Sequence, residues 1–262
     1  MPLDTARRIS ERTAPGQVDL PVDPPLRIQY LPGTNKVLVV SMSGVGNHRQ
    51  EMPPPEFFGT ASDGGNHVLF VSDISRSWMN GPGVADQIVS AIKLTVGAHG
   101  IDRVVAIGNS MGGTMALILP NLTRVDAVLA IVPQFSARQS RVPEERRWKF
   151  FRNKIETWPF EAVEALPGPQ TEVTILHGGT DDEIIHLDRF PRASHARHYV
   201  FPDGNHRLAD WLRRQGRLGH IVKYAIQGKP RVVRNGVESV GGITRKAFDD
   251  DRNDRSIQET RP

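Results

Sequence analysis

The chain has 262 residues, 24% charged and 38% hydrophobic, with a formal charge of +4 and a pI near 9.6. This length suits one α/β domain with a full-sized core, and the absence of cysteine excludes disulfides, thiolate nucleophiles and cysteine-held metals while fitting a reducing compartment. The basic residues are scattered among acids and only 6% of residues are aromatic, which argues against a nucleic-acid module, where cations gather on one element. The first stretch, Met1 to Gly16, carries Arg7 and Arg8 with no apolar run behind them, and no segment approaches membrane-spanning length. The expectation is a cytoplasmic protein without signal peptide or membrane span.

Residues 1–25 are polar, proline-bearing and aperiodic, the composition of a flexible arm. Leu26 to Leu31 and Lys36 to Ser41 read as strands joined by the turn Pro32-Gly33-Thr34-Asn35. The second strand is rich in β-branched residues and belongs inside a sheet. It empties into Ser41 to His48, a loop of small residues. Prolines 53–55 and the glycine-bearing stretch to Gly65 form an exposed connection. His67 to Asp73 is the next strand, and Ser77 to Gly83 is a loop that offers Trp78 or Asn80 to a pocket, or else uses Trp78 to plug a sheet edge. Apolar residues at 84, 88, 89, 92 and 96 predict a helix over 84–98 with one buried face. Val104 to Ile107 is a buried strand that passes through Gly108-Asn109-Ser110-Met111-Gly112 directly into the apolar helical stretch Thr114 to Leu119.

Ala127 to Val132 is a further buried strand, stopped by Pro133. Residues 134–168 interrupt the alternation, with a helix expected from Pro143 to about Trp158 and another over 160–165. Seven basic residues against two acids stand between Arg138 and Lys154, a pattern that fits either attraction of an anionic substrate or a solvated helix face. Glu172 to His177 and Arg197 to Phe201 are the last strands. The first runs into Gly178-Gly179-Thr180-Asp181-Asp182-Glu183, the second into Pro202-Asp203-Gly204-Asn205-His206 and then a helix over 208–218. From Gly228 the periodicity fades, so residues 228–262 read as a tail, with Pro230 to Val233 a candidate edge strand and Asp249 to Asp254 expected to be disordered. The domain itself is bounded at 26–227.

Gly108-x-Ser110-x-Gly112 lies between a strand and a helix, the context in which a G-x-S-x-G serine sits on a strained turn. With the two later loops, this stretch resembles the α/β-hydrolase family over about residues 36–217. The resemblance implies a mostly parallel sheet flanked by helices, a short helical lid at about 134–168, and a serine esterase acting through Ser110, Asp181 and His206, in that chain order. Asp182 is the alternative acid, and an N-cap is the alternative role for Asp181. In many members a His-Gly pair precedes the second oxyanion donor. Ser43-Gly44 stands there, which points to the backbone N–H groups of Met111 and Val45 as the oxyanion hole, with Gly44, Trp78 and Trp148 lining the substrate site.

No metal or cofactor is required. His195 and His198 lie three apart without a third ligand, and with His186 they read as surface or packing residues. The Ser41–Gly46 turn, Ser72-Asp73 and Ser77-Trp78 further resemble a bacterial branch of the family associated with surface polysaccharides or glycosylation. This implies a small-molecule or carbohydrate ester as partner. An acyltransferase or thioesterase on the same triad, and a binding protein that kept the fold, are the alternatives.

Overall fold

The structure, a computed structural model, describes residues 16–259. Its centre is one nine-stranded sheet in the order β1-β2-β4-β3-β5-β6-β7-β8-β9. The strands are β1 (Val18–Asp19), β2 (Leu26–Leu31), β3 (Val37–Met42), β4 (His67–Asp73), β5 (Arg103–Asn109), β6 (Ala127–Ile131), β7 (Glu172–Gly178), β8 (Arg197–Phe201) and β9 (Ile243–Thr244). From β4 across to β8 every pairing is parallel, while β2 on one side and β9 on the other pair antiparallel. The strands β2 and β3 are consecutive across the predicted turn, but β4 lies between them.

Alternation along the strands divides the core into two layers. Leu38, Val40, Met42, Val104 and Ala106 face α2 (Val84–His99) and α3 (Met111–Ile118). Val39, Val105 and Ile107 face the other side, where α6 (Leu208–Arg214), α7 (Leu218–Ile226) and α8 (Pro230–Glu238) pack with the short α1 (Phe58–Ala61). Strands covered on both faces must be apolar throughout, which is why β3, β5 and β6 read as unbroken hydrophobic runs.

Three sequence expectations change here. The tail is part of the domain: Pro230 starts α8, where its missing N–H is no loss at a helix N-terminus, and β9 extends the sheet by pairing with Tyr199 and Val200. The acidic run belongs to α9 (Arg245–Glu259), where i,i+4 pairs Arg245–Asp249, Lys246–Asp250 and Asp251–Arg255 neutralise it. In the expected arm, Val18–Asp19 forms the sheet's edge; residues 1–15 of that expectation lie outside the described residues.

The third change concerns the insertion after β6. Only α4 (Lys149–Arg152) is helical there. The long helix is broken because Trp148 takes a left-handed conformation, φ 55°, and because Arg152 turns inward to the carbonyls of Ala137 and Glu145, at 3.3 and 3.0 Å. Arg138–Glu161 and Arg141–Glu164 ion pairs fold the outer part of this cap back on itself.

The tightest packing in the fold is at the β5–α3 junction. Gly112 lies so close to the Met42 carbonyl of β3 that a Cβ would collide with it, and a Cβ on Gly108 would collide with the backbone of Gly112 itself. Neither neighbour is a movable side chain. Gly112→Ala is therefore expected to destabilise the protein by roughly 3 kcal/mol or more, measured as a lowered midpoint in urea unfolding; a midpoint equal to that of the unsubstituted protein would refute this packing.

Candidate active site

Every loop singled out in the sequence leaves the carboxyl end of a parallel strand, so all of them meet along one edge of the sheet, the usual position of ligand sites in open α/β sheets. Ser110 follows β5 with φ 56° and ψ −122°, a strained conformation for a residue with a side chain. The strain is enforced from both sides: the Ser110 N–H donates to Ile131 O at 2.8 Å, and α3 begins at the next residue.

Ser110 Oγ lies 2.8 Å from His206 Nε2, and His206 Nδ1 lies 2.7 Å from Glu183 Oε1. Gln134, just beyond β6, donates from Nε2 to Ser110 Oγ at 2.8 Å. The orientation of that amide is fixed because Trp78 Nε1 donates to Gln134 Oε1 at 2.9 Å. With one acceptor position of Oγ occupied by Gln134, the serine hydrogen is directed at His206 Nε2, which requires the ring proton on Nδ1, facing Glu183.

The carboxylate on His206 is thus Glu183, where the sequence pointed to Asp181 or Asp182. The α5 helix (Asp181–Leu187) begins at the end of the acid turn. Glu183, His186 and Leu187 form its buried face, fully enclosed, whereas the Asp182 side chain is 46% exposed and turned to Arg147 and Thr180. The Asp181 side chain lies outside the described residues. A glutamate one turn into the helix reaches a histidine that a residue at the turn itself would address with a shorter arm. The spacing Glu183, His186, Leu187 and Phe190 is the readable sign, an i, i+3, i+4, i+7 stripe headed by an acid. Burial opposes ionisation of Glu183, but the His206 hydrogen bond and the charge of Arg147 help to outweigh it and hold the carboxyl below its usual range.

The cap reaches directly into this site. Arg147 Nη1 lies 3.1 Å from Glu183 Oε1 while its Nη2 lies 2.6 Å from Glu145 Oε2, so one guanidinium joins the cap carboxylate to that of α5. Buried Glu145 also accepts from His186 Nε2 at 2.9 Å, with His186 Nδ1 accepting the Phe135 N–H at 3.2 Å. Arg147 lies 4.5 Å over the Trp148 ring, and Trp148 in turn packs 5.0 Å from the His206 ring. Trp148 is therefore beside the histidine, as a lining residue must be. Trp78 is not such a residue: it is 1% exposed and its N–H is engaged by Gln134, so it supports Ser110 from behind.

The loop after β3 is shaped by a second network. Gly44 N–H donates to Glu56 Oε1 at 3.0 Å, so this donor faces a protein carboxyl, contrary to its expected place in substrate binding. Ser41 Oγ and Ser43 Oγ donate to the carbonyls of Glu56 and Pro54, at 2.7 and 2.9 Å. Arg76, fully buried, donates from Nε to Val45 O at 3.0 Å and from Nη2 to His48 O at 2.9 Å and Glu51 O at 2.6 Å. Sequence reading had no signal for Arg76, because a cation spent on carbonyls leaves no partner in the sequence. The other expected oxyanion donor, Met111, is the first residue of α3, where backbone N–H groups have no intrahelical partner.

His177, His198 and His195 are held in hydrogen bonds of their own. His177 Nε2 donates to Pro133 O at 2.9 Å, and its Nδ1 accepts from His198 Nε2 at 2.8 Å. Burial lowers His177 to a pKa of about 4 and His198 well below its ordinary value, so both are neutral packing residues at physiological pH. His195 Nε2 lies 2.7 Å from Pro167 O. Among the described residues no group of three His, Asp or Glu could hold a metal ion.

No family model matches the chain, and no curated protein does. Solved structures do. A glycosylation-associated Gap123 complex from Streptococcus agalactiae aligns with a TM-score of 0.54 at 15% identity over 77% of this chain, and the chain spans 46% of that one. The capsule O-acetyltransferase of Neisseria meningitidis serogroup A aligns with a TM-score of 0.52 at 12% identity, covering 78% of this chain and 93% of the other. The Pyrococcus furiosus esterase Pf2001 gives 0.52 at 12% identity, covering 80% and 93%. With an acylaminoacyl peptidase and a hormone-sensitive lipase among the further likenesses, the architecture is the α/β-hydrolase fold. Among the described residues no helix is long and apolar enough to cross a membrane.

Two outcomes follow from this geometry. Glu183→Gln is expected to slow phosphonylation of Ser110 by a fluorophosphonate by about 100-fold or more, since loss of the orienting carboxylate strands the imidazole in the wrong tautomer, while Asp181→Asn and Asp182→Asn stay within about threefold; mass-spectrometric labelling rates decide between them. Burial, reinforced by the charge of Asp210 and opposed by the Gly44 N–H, raises Glu56 from 4.5 to about 7. An acid whose folded pKa exceeds its unfolded one contributes stability in full below the lower value and loses it as pH rises through the upper. Glu56→Gln is expected to raise the thermal midpoint at pH 8 more than at pH 5; an equal effect at both would show that Glu56 does not titrate in this window.

Proposed function

We propose that the protein is a serine hydrolase that cleaves a carboxylic ester through an acyl-enzyme. The observation that carries this reading is the hydrogen-bonded line Ser110 Oγ, His206, Glu183, at 2.8 and 2.7 Å. His206 Nε2 takes the hydroxyl proton as Ser110 Oγ attacks the ester carbonyl, and Glu183 holds the Nδ1 proton and stabilises the imidazolium. The Met111 and Val45 N–H groups receive the oxyanion, each worth about 3 kcal/mol of barrier. Collapse expels the alcohol with the proton from His206. Water then enters by the same route, its proton passing to His206 as its oxygen attacks the acyl carbon, and the acid leaves as Ser110 regains its hydrogen. Gln134, already donating to Oγ, supports the oxygen as its negative charge grows.

A second reading on the same residues is acyl transfer, in which an alcohol takes the place of water. It is supported by the likeness to the capsule O-acetyltransferase, which is matched over 93% of its length. Acylated carbohydrate as substrate class rests on that likeness and on the resemblance of the Ser41–Gly46 turn, Ser72-Asp73 and Ser77-Trp78.

Wild-type protein is expected to hydrolyse short p-nitrophenyl esters and to be labelled at Ser110 by a fluorophosphonate, with Ser110→Ala lowering turnover by about 1000-fold or more. Product analysis with sugar acceptors present separates transfer from hydrolysis. Absence of both turnover and labelling in the wild type would leave a binding protein on a hydrolase fold.

A further inference from the structure

The seven cations of the cap are not equivalent in the folded protein. Arg138 and Arg141 pair with Glu161 and Glu164, Arg147 with Glu145 and Glu183, and Arg152 is buried on backbone carbonyls. Arg146, Lys149 and Lys154 are exposed and, among the described residues, make no ion pair; the same is true of Arg49 on the loop after β3. The exposed acids of these stretches, Glu51 and Glu156, form no ion pair with them among the described residues.

Arg49 and Lys154 come from opposite walls and meet on one ring. The Arg49 guanidinium lies 5.3 Å from the centroid of Phe150 and Lys154 Nζ lies 4.0 Å from it, which places the two cations within about 10 Å of each other. Phe150 is 44% exposed, an unusual setting for a large apolar side chain flanked by two charges. A cation over a ring face keeps its hydrogen-bond donors unspent, and two such cations without a counter-charge repel one another.

The cluster is joined to the candidate site through the cap. Trp148, 5.0 Å from His206, is two residues before Phe150, a Cα separation of at most about 7 Å. The opposing wall is clamped to the cap by Arg76, which holds the carbonyls of Val45, His48 and Glu51 while its guanidinium lies 4.9 Å from the Phe151 ring. The distance between the two walls is thus fixed by a buried contact directly beneath the cluster.

We propose that Arg49, Lys154 and Phe150 form a subsite for a carboxylate or phosphate carried by the substrate, so that this enzyme selects anionic esters. The inference rests on the serine-ester reading of the adjoining site and names its substrate class. The two cations hold the anion by charge and hydrogen bonds, and the exposed ring face packs against the apolar atoms next to it. Exposure makes the attraction sensitive to salt.

The test compares ester pairs that differ in one distal charge. On the acyl side the pair is mono-4-nitrophenyl glutarate and 4-nitrophenyl valerate; on the alcohol side it is 4-carboxyphenyl and 4-carbamoylphenyl acetate. In at least one pair the wild type is expected to favour the anion in kcat/KM by about tenfold at low ionic strength, the ratio falling towards one in 0.5 M salt. In the double variant Arg49→Ala, Lys154→Ala the ratio falls to about one, and Arg49→Lys, Lys154→Arg restores part of it. A wild-type ratio at or below one in both pairs, or a ratio untouched by the double substitution, overturns the subsite while leaving the hydrolase reading intact. If no ester is turned over and Ser110 is not labelled, the hydrolase reading fails. The subsite is then judged by calorimetric titration with glutarate and with inorganic phosphate. Binding weakened about tenfold or more in the double variant supports it, the better ligand showing whether carboxylate or phosphate is preferred; no binding of either overturns it.

Discussion

The contact between Gly112 and the Met42 carbonyl is the constraint from which the candidate site is built. It lets α3 start one residue after β5 ends, with no connecting loop, and that abrupt change of direction puts Ser110 at φ 56°. A strained residue persists only where its surroundings over-determine it. Here the Ile131 carbonyl holds the backbone, Gln134 and His206 hold the hydroxyl, and the core layer of Met42, Val40 and Ala106 holds the helix against the sheet. Loosening the junction would release all of these together.

Around that turn the cap acts as more than a cover. Its Arg147 and Glu145 tie into Glu183 and His186 of α5, and its Trp148 packs on His206. The charge environment of the acid and the position of the histidine ring therefore depend on where the cap lies. Arg76 performs the corresponding function on the other wall, binding three carbonyls of the loop after β3 and contacting Phe151 of the cap. The two walls and the Ser110–His206–Glu183 line are one network, held by buried Arg76 and half-buried Arg147 through carbonyls and carboxylates.

Although among the described residues Glu183 Oε2 and Arg152 Nε have no hydrogen-bond partner, each satisfied hydrogen bond strengthens a buried network of this kind. The His177–His198 and His186–Glu145 pairs show how this is done: His177 and His186 each have one nitrogen donating and the other accepting, so neither of these buried imidazoles needs a charge. The exposed cations Arg49 and Lys154, with the Phe150 ring as their neighbour, stand outside this pairing, and that is the basis of the subsite proposed for them.

Much of the fold was legible in the sequence because it rests on local patterns. The strand His67–Asp73 and the strand Arg197–Phe201 are bounded as the runs of apolar residues indicate, the helix from Val84 follows its 3.6-residue stripe, and Ser110 and His206 are given by loops between such elements. The antiparallel edges, the order of α8 and α9 and the irregular cap were not legible. They depend on pairing with residues far along the chain: Tyr199 for β9, and Glu145 or Ala137 for the arginines that unwind the cap helix. The choice of Glu183 over its neighbours is of the same kind. The turn fixes that an acid stands near the histidine, but which of three successive acids faces inward is decided by how α5 packs on the sheet. By itself the sequence determined the inner strands, the helix from Val84 and the serine turn, since these follow from side-chain size and periodicity. Only the tertiary structure decided which acid and which tryptophan stand against His206 and which arginine pairs with that acid, because those contacts are set by packing between elements.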